Sequence, residues 1–476
     1  SPISGLLQYS NSNISSPPLQ YYSFSHEQNS TYSVFMQVCK AWQPLLSLQI
    51  YSNNQLQMVL LSCQNPSFHF TTSCKVLRFT FSESRFILCP ESPKTGRKGF
   101  SNHAMICSFI VMKCEGFSMI TDLVDYLNNN LLIAHYCGFD ISAPLPSYWT
   151  FDRFLKQLDN DVLSSIMKSQ VLYLSKQGIV DTSFIGLDST PIAANTSQNN
   201  PKSFLSNKFK PDNQPKADTD CKLGVHTASN QTNEKKYEFY WGYKNHVLVD
   251  CISGLPIYEL TTTANVHDST VALDILADTH AFLPITECTF LADKGYDVKN
   301  IYNQVQELYQ GECIIPLNKR STKNPKLLPQ GNPVCDAGLA MWKDGKFSDN
   351  GRTRQKFCCP PKSSKNADCP CHHKNFYNGK KHRGCTKYIT IPDDLRLSVD
   401  RDSKYFKSNY SLRTECERYN SRFKNTGQER MWVRNKSSVT NLNTISHISL
   451  LAVAVAAITT GAGQSYRKLK AVKRIA

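Results

Sequence analysis

Three acidic residues in this sequence are placed where they could hold divalent metal ions. Asp188 and Asp293 each end an apolar run that reads as a buried strand, and Glu417 lies in a later helical segment. Ligand sites in open α/β sheets lie beyond strand carboxyl ends, and an ionised Asp in an apolar run is costly unless it is paired. Three carboxylates suit Mg²⁺ or Mn²⁺, and two such ions would promote an in-line phosphoryl displacement. The alternative is that each Asp is a turn residue or a helix cap, because Asp188-Ser189-Thr190-Pro191 is turn-like.

Glu417 belongs to a segment whose polar residues are spaced as on one helical face. Successive members are three, four and seven positions apart: Tyr410, Arg413, Glu417 and Lys424. At about 3.6 residues per turn, these offsets stack a phenol, a carboxylate and two cations together. Glu415 would point about 200° away from Glu417 on such a helix, so only Glu417 shares the face. The alternative is a solvated helix with an ordinary Arg413–Glu417 pair, worth about 0.3 kcal/mol.

The charge balance favours a polyanionic partner, with nucleic acid as the first expectation. The 476 residues include 54 Lys plus Arg and 38 Asp plus Glu, which gives a formal net charge of +16. Residues 319–387 hold sixteen basic and four acidic residues, and the last ten residues hold five basic and no acidic ones. A basic surface kept only for solubility is the alternative, but it does not account for this clustering.

The middle of the chain predicts an α/β fold, with a mixed five-stranded sheet flanked by helices. Apolar runs and amphipathic stretches follow in the order strand, strand, strand, helix, strand, helix, strand. The second and third strands are expected to form a hairpin through Ser253 and Gly254. Asp268 is expected to cap the first helix, beside a His267 that is either structural or in the active site, and Asp297 to cap the second. The strands read FIGLDSTPI, GYKNHVLVD, LPIYELTTTA, TFLAD and ECIIPL.

The flanking regions differ in composition. The N-terminal region becomes helical in its second half, and these short helices are expected to contact DNA, although most helix pairs only pack a core. The apolar run Ser449–Thr460 is about twelve residues, too short for a bilayer that needs about twenty, so we expect a buried helix and no membrane partner. The expected divisions are a poorly ordered lead at 1–35, an N-terminal region at 36–180, a catalytic core at 181–318 and 401–462, a basic insertion at 319–400 and a basic tail at 463–476.

Cysteines in the basic segment suggest a zinc site. The candidate ligands are Cys359, Cys369, Cys371 and Cys385, with Cys358, His372 and His373 nearby. Thiolates, alone or with His, bind structural zinc, but the spacing is one C-x-C with outlying partners rather than two C-x-x-C pairs. The alternative is a set of reduced thiols in a basic loop. Most of the eighteen cysteines are expected to be reduced core residues, since they are scattered through a large chain.

Three segments together resemble a known family. LDSTPI, LADKGYD and Y-x-x-R-x-x-x-E-x-x-x-x-x-x-K are similar to the signature regions of bacterial insertion-sequence transposases of the DDE class, in the group marked by Tyr-Arg-Glu-Lys. The resemblance covers roughly residues 140 to 460. It implies an RNase H-like catalytic core with a long basic insertion before the helix that bears the third acid, preceded by a mainly helical N-terminal region. It also implies site residues: Asp188, Asp293 and Glu417 as the catalytic metal triad, with Tyr410, Arg413, Lys424 and Lys294 near the DNA phosphates.

The activity that this resemblance implies is DNA transposition. Two magnesium or manganese ions would support hydrolysis at each transposon end, and the freed 3′ hydroxyl would then attack target DNA. The implied partners are double-stranded DNA and a second copy of the chain, in the cytoplasm of a bacterium. Family members can also pass through a DNA hairpin and flip a base against an aromatic side chain. Trp342 and Trp432 are candidates for that contact, with burial in the core as the alternative.

Two other functions remain compatible with the sequence. One is a DNA-binding protein without catalysis, either a domesticated or a decayed copy, although all three acids and all four signature residues are present. The other is a metal-dependent nuclease that uses the same ions but performs no strand transfer. Inverted repeats in the DNA that flanks the gene would favour transposition over both alternatives.

Overall fold

The computed structural model describes most of the chain from residue 99 onward. The described residues are 99–200, 209–229, 235–318, 328, 330–335, 337–349, 352–360, 385–390, 395–397, 399–459 and 463–467. The expected lead at 1–35, the first part of the N-terminal region up to residue 98 and the end of the basic tail from residue 468 lie outside them.

A mixed six-stranded sheet carries the centre of the fold. Its strands run in the order β2-β3-β1-β5-β6, and β4 pairs with β3. Strands β1, β5 and β6 are parallel, whereas β3 is antiparallel to β1, β2 and β4. The α/β fold with an RNase H-like mixed sheet is therefore confirmed. The strands are β1 Phe184–Ala193, β2 Lys222–Ser229, β3 Lys235–Asp250, β4 Pro256–Thr263, β5 Thr289–Ala292 and β6 Glu312–Ile314.

The sheet has one strand more than the sequence predicts. Strand β2 reads KLGVHTAS, which contains no apolar run, and it pairs with the first half of a β3 that begins seven residues earlier than GYKNHVLVD. Both faces of this hairpin are open to solvent, since Glu238 and Phe239, which are adjacent on β3 and point to opposite faces, are both exposed. The prediction relied on buried apolar runs, so it missed a strand that extends beyond the core. The predicted hairpin between β3 and β4 is present.

The helices in the described residues range from five to 24 residues in length. They are α1 Asn102–Glu115, α2 Ile120–Asn129, α3 Leu131–Cys137, α4 Tyr148–Gln157, α5 Asn160–Lys176, α6 Asp268–Phe282, α7 Lys299–Asn303, α8 Lys404–Ser411, α9 Thr414–Phe423 and α10 Lys436–Thr459. A π-helical turn, Gln304–Leu308, extends α7, and another, Lys424–Gln428, follows α9.

Helix α10 is the centre of the helical layer. It is buried around most of its circumference, and it contacts α1, α4, α5 and β4. The expected buried helix at Ser449–Thr460 is present up to Thr459, as the second half of α10, and Thr460 lies outside the described residues. Helix α10 is the one helix in the described part of the chain that is long and apolar enough to cross a membrane, and 83% of its apolar window is buried inside the protein. Helices α1, α4 and α5 therefore pack a core around it.

Two of the expected helix caps are wrong. The N-cap of α6 is His267, whose Nδ1 accepts the Ser269 amide at 3.3 Å, while Asp268 accepts the Lys244 ammonium at 2.9 Å. Asp297 is not the cap of α7, which begins after Val298 without a side-chain cap. Asp297 is instead buried. It accepts the Asn318 amide and the Tyr302 hydroxyl, at 2.9 and 3.1 Å, and so ties the end of the core to the chain that leaves β6.

The basic segment after β6 contains a second, three-stranded antiparallel sheet. Its strands are β7 Trp342–Asp349, β8 Arg352–Cys358 and β9 Thr386–Thr390, and Cys335, Met341 and Phe357 form a small core against it. All twelve cysteines in the described residues are free, and eleven of them are buried. The expectation of reduced, buried cysteines therefore holds for eleven of these twelve positions.

A buried polar network connects α9 to the sheet and to α10. The Tyr419 hydroxyl binds His447 Nδ1, and His447 Nε2 lies 3.0 Å from Asn245 Oδ1. Asn245 Nδ2 donates to Glu259 Oε2 at 2.7 Å, and the Thr444 hydroxyl donates to the other oxygen of that carboxylate. Burial raises the pKa of Glu259 from 4.5 to about 7 and lowers the pKa of His447 to about 3.

We expect Glu259→Gln to change how stability depends on pH. A carboxyl group with a raised pKa in the folded state stabilises the fold below its unfolded pKa, and that contribution is lost as pH rises through the folded pKa. The stability of Glu259→Gln relative to the parent should therefore increase between pH 4.5 and about 7. The gain is on the order of 3 kcal/mol, at about 1.4 kcal/mol per pKa unit. Urea unfolding across this range measures it.

The control for this prediction is Glu307→Gln, the same change at an exposed position. His447 has the opposite effect on the parent, since its lowered pKa removes stability as pH falls below 6.5, but that contribution is common to both proteins and cancels in the difference. Asp161, Lys168 and Tyr258 line the cavity beside Glu259 and cancel in the same way. If the difference in unfolding free energy between Glu259→Gln and the parent stayed constant from pH 4.5 to 7, the raised pKa of Glu259 would be contradicted.

Candidate active site

The parallel pairing of β1 and β5 places Asp188 next to Asp293. Leu187 and Ala292 are the last paired residues of the two strands, and the two aspartates are the next residue in each. Asp293 Oδ1 accepts the Gly295 amide at 2.7 Å, which caps a 3₁₀ turn, Lys294–Tyr296. The two acids thus follow the last pair of this parallel ladder, and the prediction that an acid ends its strand is correct for Asp293.

Strand β1 does not end at Asp188, however, and the turn-like interpretation of Asp188–Pro191 is wrong. The strand continues to Ala193, and Asp188 pairs with Val247 of β3. The amide of Ala193 faces away from β3, towards the Glu429 carbonyl, and alternation along the strand turns the nitrogen of Pro191 the same way. Strand β5 has ended on that side, so a proline without an N–H is tolerated within β1.

Arg413 connects the acid on β1 with the acid on α9. Its Nη2 lies 3.5 Å from Asp188 Oδ1, and its Nη1 donates to Glu417 Oε1 at 2.8 Å. Arg413 and Asp188 are mostly covered, with side chains 15% and 18% exposed, whereas the Glu417 side chain is 61% exposed. The guanidinium therefore holds the two carboxylates together at the mouth of the site.

The helical face that carries Glu417 is built from two helices rather than one. Tyr410 lies at the end of α8, Glu417 lies in α9, and Arg413 stands in the turn between them. Amides in this turn donate to carbonyls three residues back, which tightens it into a 3₁₀ turn. The break does not remove the Arg413–Glu417 contact, because residues four apart remain neighbours across it.

Glu415 points away from this group, as its helical position predicts. It is buried, it forms an ion pair with Arg418, and its Oε2 lies 3.2 Å from Arg467 Nη1. A carboxylate with two cationic partners in the protein interior is a structural residue. Of the two glutamates, only Glu417 is joined to Asp188 through Arg413.

Helix α9 approaches the sheet closely because β1 carries a glycine. A Cβ at Gly186 would lie 2.4 Å from Cys416 Sγ and 2.6 Å from Cys251 Sγ, distances that real Cβ contacts essentially never show. Cys416 is fully buried and lies between Glu415 and Glu417 in sequence. The missing side chain at Gly186 thus sets the height of Glu417 above the sheet.

Burial raises the pKa of Asp188 to about 6, and Arg413 offsets only part of that effect. The Ser189 amide, which donates to Oδ1 at 3.0 Å, also favours the charged form, whereas the nearby Asp293 and Glu417 oppose it. The carboxylate of Asp188 is therefore incompletely compensated by the residues around it. An added cation would favour its ionised form.

Sequence reasoning missed one contact of Asp188. Asn420 Nδ2 donates to Asp188 Oδ2 at 3.0 Å, from a position three residues after Glu417 on α9. Its other polar atom, Oδ1, is buried and has no hydrogen-bond partner among the described residues. The spacing of three from Glu417 is the signal that could have found it, since it places the two side chains on one face.

The remaining signature residues stand at different distances from the acids. The Tyr410 ring stacks on Phe406 at 5.8 Å, and burial together with nearby carboxylates raises its pKa, so it adjoins the site. Lys424 begins the π-helical turn, and its Nζ lies 3.8 Å from Glu429 Oε1. Lys294 is exposed beside Asp293. Within the described ranges, no ion pair joins either lysine to Asp188, Asp293 or Glu417.

Both tryptophans that were candidates for base stacking are exposed rather than buried in a core. Trp342, at the start of β7, is 58% exposed, and Trp432 is 41% exposed. The guanidinium of Arg430 lies 5.0 Å from the centre of the Trp432 ring. The core-packing alternative is therefore wrong for both residues.

The residues of the site fit a hard divalent cation in their chemistry. Asp188, Asp293 and Glu417 offer only oxygen donors, and the charge of Asp188 is incompletely compensated. Over the part of the chain that the structure describes, no three His, Cys, Asp or Glu side chains are grouped closely enough to hold an ion as they stand. In this conformation, the guanidinium of Arg413 binds both Asp188 and Glu417.

The suggested zinc site lies partly outside the described residues. Cys369, Cys371 and the two neighbouring histidines belong to the part that is not described. Of the other two candidates, Cys359 is buried, and its Sγ accepts the amide of Cys385 at 3.2 Å. The zinc hypothesis therefore stays a prediction.

A mixed RNase H-like sheet with carboxylates where its parallel pairing ends is typical of one class, the metal-dependent phosphoryl-transfer enzymes. The comparison with protein families narrows this class. The family model described as "Transposase DDE domain" matches residues 180–452, which is more than half of the 476-residue chain. The chain belongs to this family and is a DDE transposase, a metal-dependent polynucleotidyl transferase. DDE transposases use divalent metal ions.

Comparisons with individual proteins add little to this assignment. No curated protein matches the chain. Among solved structures, the cryo-EM structure of the piggyBac transposase synaptic complex with hairpin DNA is similar, with a TM-score of 0.36 and 11% sequence identity. That match covers 84% of this chain and 76% of the piggyBac chain.

Proposed function

We propose that this transposase is encoded by a bacterial insertion sequence of the Tyr-Arg-Glu-Lys group, and that it cuts the ends of its element and joins them to target DNA. The observation that carries this proposal is that Arg413 contacts both Asp188 and Glu417. Asp293 follows the last residue of β5 that pairs with β1, as Asp188 follows the last residue of β1 that pairs with β5. The proposed catalytic residues are these three acids, with Mg²⁺ or Mn²⁺ as the ions. The proposed site of action is the bacterial cytoplasm.

Each residue of the site has a defined part in this proposal. Bound divalent ions would activate the attacking water or 3′ hydroxyl and stabilise the leaving oxygen. Asp188, Asp293 and Glu417 would hold the ions. Arg413 has a buried Nε without a partner in the described chain, which leaves a donor for a DNA phosphate while the other nitrogens hold the acids. Tyr410, Lys424 and Lys294 would support the same strand.

The charge distribution supports double-stranded DNA as the partner. The net charge is +16, and the segment 319–387 holds most of the excess. Lysine and arginine side chains of β7 and β8 lie in this segment, beside the exposed Trp342 and Tyr388. Cations next to exposed rings suit phosphates and an unstacked base, and Trp432 beside Arg430 offers a second such place. Because two ends must be joined, we propose that the active complex is a homodimer.

Strand transfer tests the proposal. A labelled duplex that ends in the terminal repeat of the element, with a free 3′ hydroxyl, would be incubated with the protein, Mg²⁺ or Mn²⁺ and a supercoiled plasmid. We expect the label to appear in plasmid-sized products, and a 3′ dideoxy end, which lacks the nucleophile, to give none. A second labelled duplex, in which the repeat is followed by flanking DNA, reports cutting: cutting of this duplex without joining of the first would favour the nuclease alternative, and binding without either reaction would favour the non-catalytic one.

A further inference from the structure

Asn420 stands at the acids without being one of the residues that the family signature marks. It lies on α9, three residues after Glu417, and its Nδ2 donates to Asp188 Oδ2 at 3.0 Å. The other oxygen of Asp188 takes the Ser189 amide and faces Arg413. Asn420 is therefore the residue of α9 that fixes the second oxygen of this carboxylate.

Only one of the two polar atoms of the Asn420 side chain forms a hydrogen bond among the described residues. Its Oδ1 is buried, and it has no hydrogen-bond partner within the described residues. Leaving such an acceptor unsatisfied costs about 1–3 kcal/mol. An apolar side chain of the same size would fill this space without that cost, so packing alone does not account for an asparagine here. An unpaired oxygen next to a carboxylate is an acceptor for a donor or a cation that arrives later.

Arg413, which also contacts Asp188, does not bind the side-chain oxygen of Asn420. Arg413 Nε is also buried and also lacks a partner in the described chain, and both side chains contact Asp188. One is a donor and the other an acceptor, yet they do not bind each other. Both atoms are therefore left without a partner among the residues that the structure describes.

We propose that Asn420 is a positioning residue of the metal site: Nδ2 orients the Asp188 carboxylate for a divalent cation, and Oδ1 adds a neutral oxygen to the surroundings of that cation. This inference rests on the proposed function of Asp188, Asp293 and Glu417. Residues that orient ligand side chains typically change metal affinity by about 10- to 100-fold when they are removed.

The test compares Asn420→Ala with the parent and with Asn425→Ala, an exposed position five residues further along. Mn²⁺ binding to the protein without DNA would be followed by the electron paramagnetic resonance signal of the free ion. Thermal unfolding without metal would report on folding, and cleavage would be measured as a function of Mn²⁺ concentration. We expect Asn420→Ala to weaken Mn²⁺ binding about 10-fold. The Mn²⁺ concentration for half-maximal cleavage should rise by a similar factor, and the metal-free melting temperature should stay near that of the parent.

The outcomes separate this inference from the proposed function. Parent protein that neither binds Mn²⁺ nor cuts DNA would contradict the proposed function itself. Parent activity together with unchanged Mn²⁺ binding in Asn420→Ala would overturn only the role of Asn420. A lower melting temperature with an unchanged Mn²⁺ requirement would also overturn it, because that pattern is what a purely structural contact gives.

Discussion

Glu417→Gln should abolish DNA cleavage while leaving DNA binding intact. The substitution keeps the shape of the side chain and its position on α9, but it removes the charge that pairs with Arg413 at 2.8 Å and that would hold a divalent ion. We expect a rate loss of roughly 1,000-fold or more, as for other groups that act as a unit with their neighbours. Single-turnover cleavage of labelled terminal-repeat DNA, with binding measured separately by gel shift, gives both quantities.

Two matched variants sharpen this prediction. Glu307→Gln makes the same change at an exposed position and should cut like the parent. Glu415→Gln should reduce stability, since this buried carboxylate is paired with Arg418 and Arg467, and its effect should follow unfolding rather than chemistry. If Glu417→Gln cut DNA at the parent rate, the third acid would have been assigned to the wrong residue.

Gly186→Ala should have the second largest effect, although the position carries no chemistry. A methyl group there would lie 2.4 Å from Cys416 Sγ and 2.6 Å from Cys251 Sγ, so these side chains must shift, and we expect α9 to move away from β1 together with Cys416. Overpacking of this kind costs about 1–3 kcal/mol. A displacement of about 1 Å at Glu417 would slow cleavage by about 100-fold. Thermal unfolding and cleavage rates of the purified variant measure the two effects.

The control for this variant is Gly99→Ala, where the added methyl group meets nothing within 4 Å. A rescue experiment adds Cys251→Ala and Cys416→Ala to Gly186→Ala, which removes both sulfur atoms from the crowded space. We expect the triple variant to regain part of the lost activity. Parent-like melting and cleavage in Gly186→Ala alone would mean that α9 does not rest on β1 in the way described.

Much of the fold could be predicted because its central strands are apolar runs with clear ends. FIGLDSTPI and TFLAD were expected as strands, and their aspartates occupy equivalent positions after the last paired residues because β1 and β5 run parallel. Strand β2 could not be predicted in this way, because KLGVHTAS has no buried face to show in its pattern. The predicted caps at Asp268 and Asp297 failed because a polar residue near a helix start can equally bind elsewhere, as Asp268 does with Lys244.

The site was predictable where spacing alone decides geometry. Residues 413 and 417 are four apart, so their contact follows from helical periodicity even though a tight turn precedes α9. Asn420 and Gly186 were missed for a different reason. Their importance depends on which helix lies over which strand, and the 220 residues between β1 and α9 give no local signal of that pairing.

The measurement that tests the central claim most directly is cleavage of labelled DNA that carries the flanking ends of the gene, with Mg²⁺, with Mn²⁺ and with EDTA. The parent protein would be compared with the Asp188→Asn/Asp293→Asn double variant, after gel shift has shown that both bind the ends. We predict cuts at the element ends with either cation, none in EDTA, and none by the double variant. Cation-independent cutting, or equal cutting by the double variant, would contradict a metal-dependent site at these acids.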